Sequence, residues 1–331
     1  MTQLVRSTQA PLAPATRLRD IPRTCDVDVP LSSNDPRWQD FSPARGDAAT
    51  TMLARELEWR DEGNFVHAAL ISHRGAGKST EILRLTESLS RQYLSVYLEA
   101  TVDMDPLDIE MEDLLLNLVI AVEKKLRALG TPLDSALIQR VTQWFQEVVR
   151  TTKWAQDFNA EASAGAEAKL SLPVLGSLFG GLKALMKHES QYRTEVKEVL
   201  RKYPGTLLQS VNQVLDAANA QLGGRSLLVV VDNLDRYDPI VIDKLLMNGA
   251  DRVRQLRCNL ILTPPIGLLL QPRSAALDSI YTCHVLYAIR LRDRKQRYDE
   301  FHGEGRTLME EALARRIDLD TLIPDKPARN L

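Results

Sequence analysis

The chain has 331 residues, of which 44% are hydrophobic and 26% charged, and its formal net charge at pH 7 is −2. These values are typical of a globular protein of one large domain or two ordinary ones, and they argue against a generally basic nucleic-acid-binding protein. Three scattered cysteines, Cys25, Cys258 and Cys283, show no CxxC or Cys/His spacing. The sequence therefore indicates neither a disulfide framework nor a zinc site, and we expect a cytoplasmic protein.

The first half of the chain alternates helical and strand patterns after an irregular beginning. Residues 1–35 are rich in Pro, Ser, Thr and Arg without periodicity, and we interpret them as an N-terminal arm. The spacing of apolar residues then predicts a helix over 47–59, a strand over 65–71, a helix over 79–92, a strand over 93–100 and a long helix over 105–130.

The second half begins with a long, mostly helical stretch, 132–224, which exceeds an ordinary connection and is predicted to be an insertion between the second and third strands. Residues 170–187 are short for a membrane span and favour an amphipathic segment, so a membrane partner is not expected. The remaining patterns predict a strand over 225–236, a helix over 239–256, strands over 258–265 and 283–294, and a last helix over 305–317. Continuous apolar strands alternating with helices predict an α/β fold with a five-stranded parallel sheet.

The most informative motif is "SHRGAGKST", which follows the first predicted strand and opens a helix. Its glycines permit positive φ and close approach to a ligand, its lysine can reach phosphates, and its serine hydroxyl can bind Mg²⁺. The alternative is a turn that merely begins a helix. The candidate ligand-binding residues are Ser72, His73, Arg74, Gly75, Ala76, Gly77, Lys78, Ser79 and Thr80.

A second motif, "LLVVVDNLDR", ends an apolar strand in Asp232. A carboxylate at that edge can hold Mg²⁺ together with Ser79, whereas the alternative is an acid that forms a turn after a strand. Both motifs in this order predict a nucleotide site.

Together these motifs resemble the P-loop NTPases of the AAA+ and STAND-type groups, including the KAP-like branch, over roughly residues 40 to 320. The resemblance implies a P-loop NTPase core in two parts, 36–131 and 225–331, with a lid that is absent or truncated. It implies ATP and Mg²⁺ as ligands, with Lys78 on the phosphates and Ser79 and Asp232 on the metal. It also matches Thr263 to a sensor position. The equally good alternative is that Thr263 is an ordinary β-branched residue of a strand.

The residue after the metal acid departs from the family pattern, because Asn233 stands where many relatives carry a second acid that activates water. Asp235 is the next carboxylate, and it fits either a catalytic base or a partner of Arg236. ATP binding is therefore expected with slow hydrolysis.

Two arginines complete the candidate site. We hypothesise that Arg254 is an arginine finger that acts on a neighbouring subunit. The alternative is that Arg254 lies on a solvated helix face. Arg45 lies in the lead-in that packs near the adenine in look-alike families. The two motifs, with Asn233 weakening the hydrolytic machinery, predict a nucleotide-controlled switch in a signalling or defence-type assembly, which is either a homo-oligomer or a larger protein assembly. The alternatives are a DNA-associated ATPase that loads or remodels, and a non-hydrolysing nucleotide-binding scaffold.

Overall fold

The computed structural model describes residues 13–46, 49–61, 63–105, 109–149, 152, 191–292 and 303–325. Its central element is a five-stranded, all-parallel sheet flanked by helices, in the strand order β2-β3-β4-β1-β5. The strands are β1 His67–Ile71, β2 Tyr93–Glu99, β3 Ser226–Asp232, β4 Asn259–Leu262 and β5 Thr282–Val285. The two central neighbours β3 and β4 are completely buried apart from Ser226, which explains their unbroken apolar sequences.

Helices precede, connect and follow the strands. In chain order they are α1 Ile21–Thr24, α2 Ser42–Arg45, α3 Ala49–Trp59, α4 Lys78–Ser88, α5 Ala100–Asp103, α6 Met111–Ala128, α7 Ser135–Val149, α8 Gln191–Arg201, α9 Pro204–Ala220, α10 Pro239–Asn248, α11 Ala250–Arg254, α12 Ser274–Leu277, α13 Gly303–Ala314 and α14 Leu319–Leu322. Short 3-10 turns cover Leu18–Asp20, Leu234–Arg236 and Ile266–Leu270.

The chain divides into two compact units. The first unit consists of the described residues of 1–55, 70–89 and 284–331, and the second consists of those of 56–69 and 90–283. In the first unit, Ala15 forms a parallel bridge with Ile317, and α2 packs against α13. In the second unit, α6 packs on β2 and on α9, and α8 contacts α6, α7 and α9. Burial of these apolar faces provides the main stabilisation of each unit.

The predicted α/β class and the five parallel strands are confirmed, as are the helix–strand alternation and the approximate bounds of most elements. One expected helix, over 239–256, is in fact two, because the chain breaks at Gly249 between α10 and α11. A Cβ at Gly249 would lie 2.5 Å from the carbonyl oxygen of Leu245, so a larger residue does not fit this break. The last predicted strand is confined to Thr282–Val285.

The candidate membrane segment, 170–187, lies outside the described residues. Among the helices of the described ranges, none is both long and apolar enough to cross a membrane.

Candidate functional site: a phosphate-type loop and a carboxylate cluster

The loop of the "SHRGAGKST" motif follows β1 and leads into α4, and its residues belong to the first unit. Gly75 and Gly77 have φ values of 82° and 91°, a left-handed conformation that glycine adopts without steric cost. Helix α4 begins immediately after them, at Lys78, and runs for eleven residues. His73 and Arg74 are exposed on the loop. Exposed backbone that leads into a helix N-terminus is suited to binding an anion, because N–H groups and the helix dipole face outward there.

Ser72, which replaces the first glycine of the usual motif, contacts the lysine of the loop. Lys78 Nζ donates a hydrogen bond to Ser72 Oγ at 3.1 Å, and both side chains are buried. Ser72 Oγ in turn donates to the carbonyl oxygen of His73 at 3.0 Å. The serine therefore gives the ammonium group a polar contact at the base of the loop.

Arg45 braces the loop from the preceding segment. Its guanidinium donates to the carbonyl oxygen of Ala76 at 2.6 Å and to Glu81 Oε1 at 3.1 Å, and the residue is 4% exposed. A Cβ at Gly77 would lie 3.5 Å from its terminal nitrogen. Arg45 therefore contacts the loop backbone itself, and its predicted proximity to an adenine stays a prediction.

The two hydroxyls that follow Lys78 have different surroundings. The Oγ1 atom of Thr80 accepts a hydrogen bond from the backbone N–H of Leu31 at 3.1 Å, so the N-terminal segment engages this oxygen. Ser79 is half-buried in the first turn of α4. Ser79 is accordingly the hydroxyl of the motif that suits a ligand.

In the second unit, the sheet aligns the carboxyl ends of its strands. Val231 of β3 pairs with Leu262 of β4, and Leu262 pairs with Ala69 of β1. On the other side of β3, Asp232 is the register partner of Glu99, the last residue of β2. Parallel pairing thus brings two strand-terminal acids to neighbouring positions at one sheet edge.

Asp232 is buried and receives three hydrogen bonds. Thr263 Oγ1 donates to its Oδ1 atom at 3.0 Å, and the backbone N–H of Asn233 donates to the same oxygen at 2.8 Å. The hydroxyl of Tyr97 donates to Oδ2. The structure therefore brings together Asp232 and Thr263, which the sequence identified separately, and adds Tyr97 to them.

Asn233 holds the neighbouring acid. Its φ is 65°, and it is the one non-glycine residue with positive φ in the described part of the chain. Asparagine tolerates this conformation better than most residues. The turn directs its amide Nδ2 to Glu99 Oε1, to which it donates at 3.1 Å. The amide that replaces the expected second acid thus positions a carboxylate supplied by β2.

Glu99 sits in a negative and partly desolvated environment. Burial raises the pKa of its carboxyl, the charge of Arg236 opposes this effect, and the charges of Asp232 and Asp103 reinforce it. Its backbone N–H donates to Asp103 Oδ2 at 3.1 Å. Sequence reasoning missed Glu99 and Tyr97. The available signal was that β2, like β3, ends in an acid, but the strand register was needed to interpret it.

The other candidates lie elsewhere in the second unit. Asp235 is half-buried in the turn Leu234–Arg236. Arg254 is exposed at the end of α11 and donates to the carbonyl oxygen of Ser279 at 2.5 Å. Arg252 pairs with Glu112 at 2.6 Å. The roles of Asp235 and Arg254 in catalysis stay predictions.

The donor set is compatible with a magnesium ion, although the described residues hold no group of three His, Cys, Asp or Glu side chains that binds a metal alone. Mg²⁺ typically keeps several water ligands and takes one or two carboxylates together with substrate phosphates. A buried carboxylate such as Asp232, with its neighbour Glu99 at the end of β2, provides oxygen ligands of that kind. A larger protein cage is not required.

Comparison of the chain with protein-family models and with curated proteins gives no match.

Proposed function

We propose that this protein binds ATP through the loop Ser72–Thr80 and hydrolyses it slowly, with Mg²⁺ held by Ser79 and Asp232. The observation that carries the proposal is the loop itself. Two glycines in left-handed conformation precede an eleven-residue helix that begins at buried Lys78. A triphosphate is the ligand that such backbone, helix dipole and lysine bind best.

The carboxylate cluster supports the assignment of the metal acid. Asp232 ends β3, and three donors hold its carboxylate in one orientation. A bound Mg²⁺ would neutralise charge on the phosphate oxygens.

Each loop residue then has a defined role. Backbone N–H groups at Gly75 and Gly77 bind the phosphate oxygens, and Lys78 exchanges its contact with Ser72 for the triphosphate. The Arg45 guanidinium stabilises the loop backbone through its hydrogen bond to the carbonyl oxygen of Ala76. Slow turnover follows from Asn233, whose amide accepts no proton. The proposed biological role is a nucleotide-controlled switch in a signalling or defence-type assembly, and it rests on the resemblance of both motifs to STAND-type ATPases.

The test compares ATP binding by the wild type and by Lys78→Ala, measured by titration calorimetry with Mg²⁺. Loss of a charge-assisted contact to the phosphates is expected to weaken binding about tenfold or more. Lys124→Ala, at an exposed position of α6, is the matched control and retains wild-type affinity. Phosphate release and the size of the particle with and without ATP and Mg²⁺ complete the test. Equal affinities of wild type and Lys78→Ala would refute the proposal.

A further inference from the structure

We infer that Thr80 is a positioning residue for the phosphate-type loop, and that it acts through residues 31–38, a segment that we call the strap. This role rests on the proposed function, since it concerns how tightly the loop binds ATP. The hydroxyl of Thr80 accepts the backbone N–H of Leu31 at 3.1 Å, and Leu31 is buried. The strap, the loop and α4 all belong to the first unit.

Three residues of α4 hold the strap along one face of the helix. Thr80, Arg84 and Glu87 stand at positions i, i+4 and i+7, a spacing that places side chains on the same side of a helix. Besides the contact between Thr80 and Leu31, Arg84 donates to the carbonyl oxygen of Ser33 at 2.9 Å. The backbone N–H of Ser33 donates to Glu87 Oε2 at 2.7 Å. The helix therefore binds the backbone of the strap directly.

The other end of the strap is fixed beside the C-terminal end of α13. Arg316 Nη1 donates to the carbonyl oxygen of Arg37 at 2.8 Å and to that of Ala312, in α13, at 2.7 Å. Arg37 is buried, and its guanidinium pairs with Asp35 at 2.6 Å. Because the strap is held at both ends, the N–H of Leu31 is presented to α4 from a fixed position.

The contact with Leu31 is made in the first turn of α4, where the proposed ligand binds. The helix begins at Lys78, and Gly77 before it has no side chain with which to cap the turn. Successive residues of a helix point about 100° apart, so anchoring Thr80 on the strap also sets the direction of Ser79 and of the first N–H groups. Groups that are held in the binding geometry before the ligand arrives bind it more tightly.

The contacts of Arg84 and Glu87 lie about one and two turns further from the loop. They hold the strap on the helix, but they do not set the direction of the first turn. The hydroxyl of Thr80 is therefore the member of this face whose loss is expected to change ATP affinity.

Thr86 provides a matched control on the same helix. Its Oγ1 donates to the carbonyl oxygen of Leu83 at 2.8 Å, and the residue is buried. Thr86→Val makes the same chemical change as Thr80→Val but removes a hydrogen bond within α4 instead of one to the strap. Thr80→Ser keeps the hydroxyl and is the conservative variant.

The experiment measures ATP affinity with Mg²⁺ by titration calorimetry, and hydrogen exchange of the Leu31 amide by NMR. We expect Thr80→Val to bind ATP about fivefold to tenfold more weakly, the equivalent of one hydrogen bond, and its Leu31 amide to exchange faster. Thr80→Ser and Thr86→Val retain wild-type affinity. In the wild type, protection of the Leu31 amide persists after ATP and Mg²⁺ are added, because Thr80 stays bound to the strap.

The outcomes separate this role from the proposed function. A wild type that binds no ATP overturns both. If the wild type binds ATP, then unchanged affinity in Thr80→Val, or an equal loss in Thr86→Val, overturns the role of Thr80 alone. Faster exchange of the wild-type Leu31 amide on addition of ATP also overturns it, since the hydroxyl would then have moved to the ligand. This last measurement needs no variant, so it decides the matter even where Thr80→Val does not fold.

Discussion

The hydroxyl of Thr263 donates a hydrogen bond to Oδ1 of Asp232 at 3.0 Å, and both residues are buried at the ends of adjacent parallel strands. The contact follows from the register that pairs Val231 with Leu262, because the next residue of each strand then lies beside the other. Thr263, which was matched to a sensor position from sequence, therefore contacts Asp232, the predicted metal ligand, directly.

Removing this hydroxyl is expected to destabilise the protein. Thr263→Val preserves the shape of the side chain but leaves Oδ1 of Asp232 with one donor fewer, which costs about 1–2 kcal/mol of unfolding free energy. Turnover falls as well if Asp232 changes orientation. Urea unfolding and phosphate release measure both effects. Thr263→Ser is the control that keeps the hydroxyl, and a Val variant as stable as the Ser variant would contradict the prediction.

Arg45 is expected to support the loop rather than the fold alone. Arg45→Met retains an unbranched apolar stem and loses the donor to the Ala76 carbonyl, so the loop is less well ordered for a phosphate. We expect ATP affinity to fall about tenfold, the equivalent of one charge-assisted hydrogen bond. Calorimetric titration measures this change.

The control for Arg45 is Arg84→Met on α4. Arg84 lies over the Trp38 ring at 3.5 Å from its centroid and donates to the carbonyl oxygen of Ser33, away from the loop. This variant is expected to lose stability without losing ATP affinity. Equal affinity losses in the two variants would indicate a general effect on folding.

A buried ionic cluster joins α6 to α8 and is expected to be sensitive to the loss of one member. Lys197 Nζ lies 2.9 Å from Asp113 Oδ2, and Arg193 pairs with Asp105 at 2.6 Å, all four being buried. Burial raises the pKa of Asp113, and the charge of Lys197 opposes it. Lys197→Met leaves a buried carboxylate less compensated and is expected to cost about 3–5 kcal/mol in unfolding free energy.

The matched control for Lys197 is Arg201→Met on the same helix. Arg201 pairs with Glu110, but its side chain is 49% exposed, so solvent screens the pair and the expected cost is about 0–1 kcal/mol. Chemical denaturation of the two variants measures the difference. Similar losses of unfolding free energy in the two variants would mean that burial does not increase the cost of removing one member of the cluster.

His67, the first residue of β1, predicts a dependence of stability on pH. Burial lowers its pKa, while the carbonyl oxygen of Leu256, 3.2 Å from Nε2, opposes the shift. The unfolded chain, with a histidine pKa of about 6.5, therefore binds the proton more readily than the folded chain. Stability of the wild type relative to His67→Gln is expected to decrease as pH falls below about 6.5. Urea unfolding at several pH values measures it, and parallel profiles would contradict the prediction.

Much of the architecture was predictable because local patterns carry it. Uninterrupted apolar runs such as Leu227–Val231 mark buried parallel strands, and the glycines before Lys78 mark a turn into a helix. Less predictable was the break at Gly249, where helical periodicity continues through the sequence although the backbone does not. The segment 13–46 also contacts α4 and the C-terminal residues, through Leu31 and Ala15 among others, without a periodic signal.

Within the candidate site, residues that belong to a contiguous motif were identified from sequence, and residues that reach it across the sheet were not. The sequence alone determined the strand-loop-helix around Lys78 and the strand that ends in Asp232, since glycine conformation and apolar patterning are properties of neighbouring residues. Only the tertiary structure decided that Thr263 and Tyr97 donate to Asp232, and that Asn233 holds Glu99. Strand register sets those contacts, and register depends on how distant segments pair.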